Sequence, residues 1–167
     1  MAARVKERSA QTNRARTWKL DRLDQAIIRL LQEGADRTNA SIAEEAGSTE
    51  STVRRRRDAL IRRGVIRITA VVDPLQIGYQ IMALIGLQVD GRKLNEAAAA
   101  LASMAELRFV GLTLGRYDIL TEAWFLSTEQ LLDFVTERLN KVPGVLRSET
   151  LQIAKLVKYG YDWGQST

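Results

Sequence analysis

The sequence predicts an α+β protein in two parts, a trihelical helix-turn-helix domain followed by a βαββαβ domain. Three observations carry that prediction. The first half has helical periodicity, with two small residues, Ala43 and Gly47, set as a tight turn between amphipathic stretches. The second half alternates stretches of period 2 with stretches of period 3.6, in the order β, α, β, β, α, β. Charge is divided in the same way, net +4 over residues 1–17, +3 over 18–72 and −2 over 73–167. A basic front half joined to a near-neutral rear half suits a nucleic-acid-binding part coupled to a part with another task.

Composition narrows the chemistry. The 167 residues include no Cys and no His, which removes disulfides, thiolate and imidazole catalysis and the usual zinc ligands. No catalytic residue and no metal site is therefore expected. With 46% hydrophobic residues the chain can build packed cores. No apolar run reaches the roughly 20 residues that span a bilayer, and the basic N-terminus has no apolar segment to act as a signal peptide. A cytoplasmic protein without a membrane partner is expected.

Residues 1–17 hold Arg4, Lys6, Arg8, Arg14 and Arg16 with almost nothing to bury, a flexible basic arm. Such an arm can track phosphates or be a plain solvated tail, and the residues alone leave both open. From residue 18 to 66 the helix-turn-helix domain is expected. Leu20, Leu23, Ile27, Leu30 and Leu31 form one face of a helix ending near Gly34, with Asp21 and Asp24 placed to complement its N-terminal dipole. Ser41 and Glu44 read as a capping box for a short second helix with Ile42, Ala43 and Ala46 inward, and Gly47 turns the corner. The third helix, Ser48 to Arg63, packs through Val53, Leu60 and Ile61 and presents Ser, Thr and Arg side chains outward. Val65 to Asp73 is rich in β-branched residues and reads as a strand leading out, so residues 67–80 form a strand and hinge linker.

The domain over residues 81–167 reads as a strand at Ile81–Val89, a helix at Leu94–Met104, strands at Leu107–Leu114 and Ile119–Leu126, a helix at Thr128–Val142 and a strand at Val145–Lys158. Leu131, Leu132, Val135 and Leu139 are expected inward on the second of these helices. The split βαβ order gives a ferredoxin-like antiparallel sheet with both helices on one face. Leu112, Leu114, Leu120, Trp124 and Leu151 would leave the other face apolar, and a second copy of the sheet is the expected cover.

Leu20-Asp-Arg-Leu-Asp24, Ile42-Ala43 with Gly47, Ser51-Thr-Val-Arg-Arg-Arg56, Leu60-Ile-Arg-Arg-Gly-Val-Ile66, Asp73-Pro-Leu-Gln-Ile-Gly78, Gly115-Arg-Tyr-Asp118 and Val142-Pro-Gly-Val145 occur in order. Over roughly residues 18–160 this series resembles the Lrp/AsnC, or feast/famine, transcriptional regulators. The resemblance implies a winged or plain helix-turn-helix domain, a RAM- or ACT-like effector and dimerisation domain, and assembly as dimers, tetramers or octamers. It also implies an amino-acid effector held between dimers near Gly115, Arg116, Tyr117 and Asp118, with no other cofactor. Two positions depart from the family pattern. Ser48 stands where a Leu is usual, and Arg57 stands where Val or Ile is usual. Arg57 falls on the stripe that packs inward, so it must snorkel, lie along the first helix, or pair with Asp24 or Glu45.

Double-stranded DNA is the expected partner of the third helix. Ser48, Thr49, Ser51 and Thr52 near its N-terminus suit phosphates, and Arg54, Arg55, Arg56, Arg62 and Arg63 supply charge and planar forks for guanine edges. Successive residues point about 100° apart, so only two or three of the four consecutive arginines can share one groove. At Gly115–Asp118 the local sequence suits a plain hairpin turn. A ligand site there would use Asp118 for an ammonium group and Arg116 for a carboxylate. Two rival functions follow from the architecture. RNA binding on the sheet needs exposed aromatics on its central strands, and Leu107–Leu114 offers only Phe109. Haem-pathway decarboxylases share the outline but rely on histidine, which this chain lacks.

Overall fold

The computed structural model describes residues 18–159, so the basic arm expected at 1–17 lies outside the described residues. The chain divides between Val71 and Val72 into two compact units.

The first unit is built from α1 (Arg22–Glu33), α2 (Asn39–Glu45) and α3 (Glu50–Arg62). Asp21 caps α1 reciprocally. The Asp24 amide donates to Asp21 Oδ1 at 2.9 Å, and the Asp24 carboxylate accepts from the Asp21 amide at 3.4 Å. The α2 cap is Thr38 rather than the expected Ser41. Thr38 Oγ1 accepts from the Ser41 amide at 3.1 Å, and Ser41 Oγ donates to the Thr38 carbonyl at 3.2 Å. Thr38 wins because it is the last extended residue, while Ser41 is already inside the first turn. Gly47 turns the corner at φ +61°, and the Ser48 amide closes it on the Ala43 carbonyl at 2.9 Å. Ile27, Leu30, Leu31, Ile42, Ala43, Val53 and Leu60 form the core. Each of the larger ones contributes roughly 1.5–3 kcal/mol by leaving water. Ile61, expected inward, is exposed, because Val53 and Leu60 already fill the space beneath α3.

The expected strand over residues 65–73 does not form, and no wing strand is present among the described residues of this unit. Val65 and Ile66 pack on the helical core, but Ile68, Val71 and Val72 are exposed. High β-propensity reflects packing on a paired, pleated surface, and no strand of this chain lies alongside. Asp73 then accepts from the Leu75 amide at 2.9 Å to start a 3₁₀ turn at Pro74–Ile77.

The second unit contains β1 (Ile81–Val89), α4 (Leu94–Ala102), β2 (Leu107–Leu112), β3 (Ile119–Phe125), α5 (Thr128–Asp133) and β4 (Val145–Ile153). The antiparallel sheet has the order β2-β3-β1-β4, the expected ferredoxin-like arrangement. One face packs Ala83, Ile85, Leu87, Ile119, Ala123 and Phe125 against Ala97 and Leu101 of α4 and against Leu131 of α5. α5 runs on into a π-helical turn at Phe134–Arg138, where the Leu139 amide donates to the Phe134 carbonyl. That extra residue changes the phase of the inward face. Phe134 and Leu139 become buried, Arg138 swings out to Glu106, and Leu132, expected inward, is exposed.

The other sheet face carries Met82, Leu84, Gly86 and Gln88 of β1, with Leu120, Glu122, Trp124 and Leu151 in register beside them. Leu112 does not belong to it. Its partner is Ile119, which points into the core, and Leu114 lies beyond the strand end. Trp124 is buried, its indole N–H donating to Glu122 Oε1 at 2.9 Å. Phe109 and Leu151 are the half-exposed apolar groups of this face.

The Asp24 amide, and after it the Arg56 guanidinium, hold the Asp21 carboxyl below its ordinary value of 3.8 against the opposing effect of burial. A lowered pKa stabilises the fold above that value and is lost as pH falls through the folded-state value. The thermal midpoint of the wild type is expected to drop below pH 3.8 more steeply than that of Asp21→Asn, which keeps a cap but cannot titrate. Parallel slopes would show that Asp21 contributes nothing to the acid transition.

Candidate functional site

Thr49 caps α3, accepting from the Thr52 amide at 3.3 Å and lying 2.9 Å from Thr52 Oγ1 and 3.2 Å from Ser51 Oγ. The three hydroxyls expected to meet phosphates are therefore linked to one another at the positive end of the helix. Beyond them Val53 and Leu60 face inward. At about 100° per residue, Ser51, Arg55, Asp58 and Arg62 fall opposite that stripe, with Arg54 on one flank and Thr52 and Arg63 on the other. Arg54, Arg55, Arg62 and Arg63 are exposed, and Ser48 is half-buried in the turn.

The four consecutive arginines are not equivalent. Arg54 and Arg55 point outward and make no ion pair among the described residues. Arg56 is half-buried, its Nη2 at 2.8 Å from Asp21 Oδ2 and its Nη1 at 3.4 Å from both oxygens of Asp24. Arg57 takes neither acid suggested by its position. Its Nη1 donates to Asn39 Oδ1 at 3.2 Å and to the Arg37 carbonyl at 3.4 Å. Asp24 is already held by Arg56, and Glu45 by Arg37, which also reaches Glu33 at 3.2 Å. Arg63 stacks over the Trp18 ring at 5.0 Å. Arg55, Arg56 and Arg63 line an open groove of about 310 Å³ with Asp24, Ala59 and Leu60. Sequence reasoning missed Trp18 and the buried Asp24 as partners of these arginines, since only three-dimensional proximity reveals long-range pairs.

The second candidate site lies on the sheet. Gly115 has φ +149°, a conformation that favours glycine. Asp118, expected to hold an ammonium group, is engaged otherwise. Its Oδ2 accepts from the Val89 amide at 2.8 Å, where the β1–β4 register shifts, and its own amide donates to the Leu87 carbonyl at 2.9 Å. Neither Gly115 nor Asp118 lines the nearby pocket. Arg116 and Tyr117 do, with Gly86, Gln88, Arg147, Ser148 and Glu149 around a space of about 60 Å³.

Arg116 Nη2 lies 3.0 Å from Glu149 Oε2, and its guanidinium sits 5.4 Å from the Tyr117 ring centroid. A hydrogen bond to Glu149 pushes the Tyr117 hydroxyl above its ordinary pKa. The pocket thus offers cationic and anionic groups side by side. Glu149 takes the place assigned to Asp118, and the signal for it was β-strand pairing, which sets Glu149 opposite Gly86. Among the described residues no group of three or more Asp or Glu could hold a metal ion, and no helix is long and apolar enough to cross a membrane.

Comparison with known proteins supplies two family matches and several relatives. The family model for the AsnC-type helix-turn-helix domain matches residues 20–61, and that for the Lrp/AsnC ligand binding domain matches residues 82–163. An uncharacterised HTH-type transcriptional regulator of Pyrococcus furiosus is 35% identical over 143 residues, covering 85% of this chain and 97% of its own. Among solved structures, E. coli AsnC superposes with a TM-score of 0.81 at 23% identity, covering 86% of this chain and 97% of its own. A transcriptional regulator of Neisseria meningitidis, solved as a complex with L-Met, gives 0.79 at 24% identity over 85% of this chain and 94% of its own.

Proposed function

The chain belongs to the Lrp/AsnC family of transcriptional regulators, and from that premise we propose that α3 reads the major groove through Arg54 and Arg55, with Arg62 further along. Ser51, Thr52 and the α3 N-terminus receive phosphates. The observation that carries this assignment is the outward stripe of Ser51, Arg55 and Arg62, flanked by Arg54, opposite the buried Val53 and Leu60. Two copies of the chain, joined through the sheet face that bears Phe109 and Leu151, present two such helices about one DNA turn apart. Dimers assemble further into tetramers or octamers. Neither the RNA-binding nor the decarboxylase alternative is favoured.

The effector is an amino acid. Three things support this: the match to a ligand-binding domain, the relative solved with L-Met, and a pocket where Arg116 and Arg147 suit a carboxylate while Glu149 suits an ammonium group. Gel-shift titrations on DNA upstream of the protein's own gene, across a salt series and with each amino acid added, test both halves. Binding is expected to weaken steeply with salt, because lysine and arginine contacts release condensed counterions, and to respond to at least one amino acid. Equal affinity for random DNA would sink the specific reader. An unchanged shift with all twenty amino acids, in ligand-free protein, would sink the effector.

A further inference from the structure

The consecutive arginines Arg54–Arg57 look like one cationic patch in the sequence, but their surroundings separate them into pairs. Arg56 and Arg57 straddle the Val53–Leu60 stripe about 100° apart, one directed at α1 and the other at the start of α2. The Arg56 fork spans two carboxylates, Asp21 at 2.8 Å and Asp24 at 3.4 Å. Asp24 is the decisive partner. Its side chain is only 9% exposed, so swinging Arg56 out to a phosphate would leave a buried carboxylate without a cation. Arg57 meets no acid at all. It donates to Asn39 Oδ1 and the Arg37 carbonyl, two neutral acceptors that hold it against α2 and the loop before it.

We propose that Arg56 and Arg57 are positioning residues that set the angle of α3 on α1 and α2, and that within this run only Arg54 and Arg55 touch DNA. The proposal rests on the DNA-binding assignment above and divides its arginines by role. Arg56 acts through Asp21 and Asp24, and Arg57 through Asn39 and the Arg37 carbonyl. Neither neutralises a phosphate. Both keep the outward stripe aimed at base edges.

The two roles differ in sign when the acids are removed. If Arg56 were a DNA contact restrained by Asp21 and Asp24, neutralising them would free it, and the preference for specific DNA would hold or rise. If it is a positioning group, the preference falls. Full-length protein is used to select a duplex from a random pool, and affinities for that duplex and a scrambled one are measured across a salt series. Asp21→Asn/Asp24→Asn keeps both caps and removes both charges. This variant and Arg56→Lys, which keeps the charge but not the fork, are expected to lose on the order of tenfold in selected-over-scrambled preference, the size of one misaligned base contact.

Arg56→Ala and Arg57→Val are expected to leave the salt slope near wild type, whereas Arg55→Ala makes it shallower by about 0.9 for each phosphate that is no longer neutralised. Circular dichroism checks that each variant is folded. Should Arg56→Ala unfold the helical unit, the Lys and Asn variants and Arg57→Val carry the test. A preference that is kept or raised in the double Asn variant, or a drop in slope in Arg56→Ala or Arg57→Val equal to that of Arg55→Ala, would overturn the proposal. A pool in which the wild type enriches nothing would overturn the regulator assignment, and this one with it.

Discussion

Arg54→Ala/Arg55→Ala is expected to lower affinity for specific DNA by roughly a hundredfold or more, since each good bidentate arginine contact is worth about 1–3 kcal/mol of discrimination. The plot of log affinity against log salt should also become shallower, by up to about 2 if both side chains sit on phosphates. Folding should be untouched. Both side chains are exposed, and neither has an ion-pair partner among the described residues to lose. Isothermal titration or gel shift at several salt concentrations reads the binding effect, and thermal melting reads the fold. Wild-type affinity and slope in this variant would place the reading face elsewhere on α3, with Arg62 the next group to test.

The second large effect is expected at Gly86. A Cβ built there would lie 2.6 Å from Tyr117 Cγ and 2.7 Å from both ring Cδ atoms. The clash falls at the root of the ring, close to the backbone, so a small rotation cannot relieve it. Gly86→Ala must push Tyr117 off the strand and away from Glu149, which costs about 1–3 kcal/mol as an overpacked contact does. It should also abolish any response to amino acids. Chemical denaturation measures the first consequence and ligand-induced thermal shift the second. Tyr117→Ser removes the ring, so the double variant should be no less stable than Tyr117→Ser alone, a strong departure from additivity. Full stability in Gly86→Ala would mean that Tyr117 does not rest on β1.

What was legible in the sequence was local. The apolar spacing of Ile27, Leu30 and Leu31, the glycine corner at Gly47 and the alternation along β1 are readable because side-chain direction follows from period alone. What was not legible depended on partners distant in the chain. Nothing near Arg56 shows that Asp21 and Asp24 face it, and nothing near Asp118 shows that the Val89 amide occupies its carboxylate. Residues 65–73 misled for a related reason, since a strand needs a neighbour and propensity cannot supply one. The π-helical turn at Phe134–Arg138 is a third kind of miss. One extra residue exchanged Leu132 for Phe134 on the buried face, and no strong local signal announces such an insertion.

The placement of β1 bears on how a ligand could be sensed. β1 is hydrogen-bonded along both edges, to β3 and to β4. It also forms the floor of the polar pocket through Gly86 and Gln88 and pins the loop before β3 through its Leu87 carbonyl and Val89 amide. A strand held on both sides is among the last parts of a domain to open, so amide exchange there should be slow and the pocket walls already ordered. A molecule settling in would lose its own freedom of movement while ordering little of the protein. Sensing at such a site cannot rely on a loop folding around its guest. It has to work through unequal affinity for states that already exist, with the ligand shifting their populations.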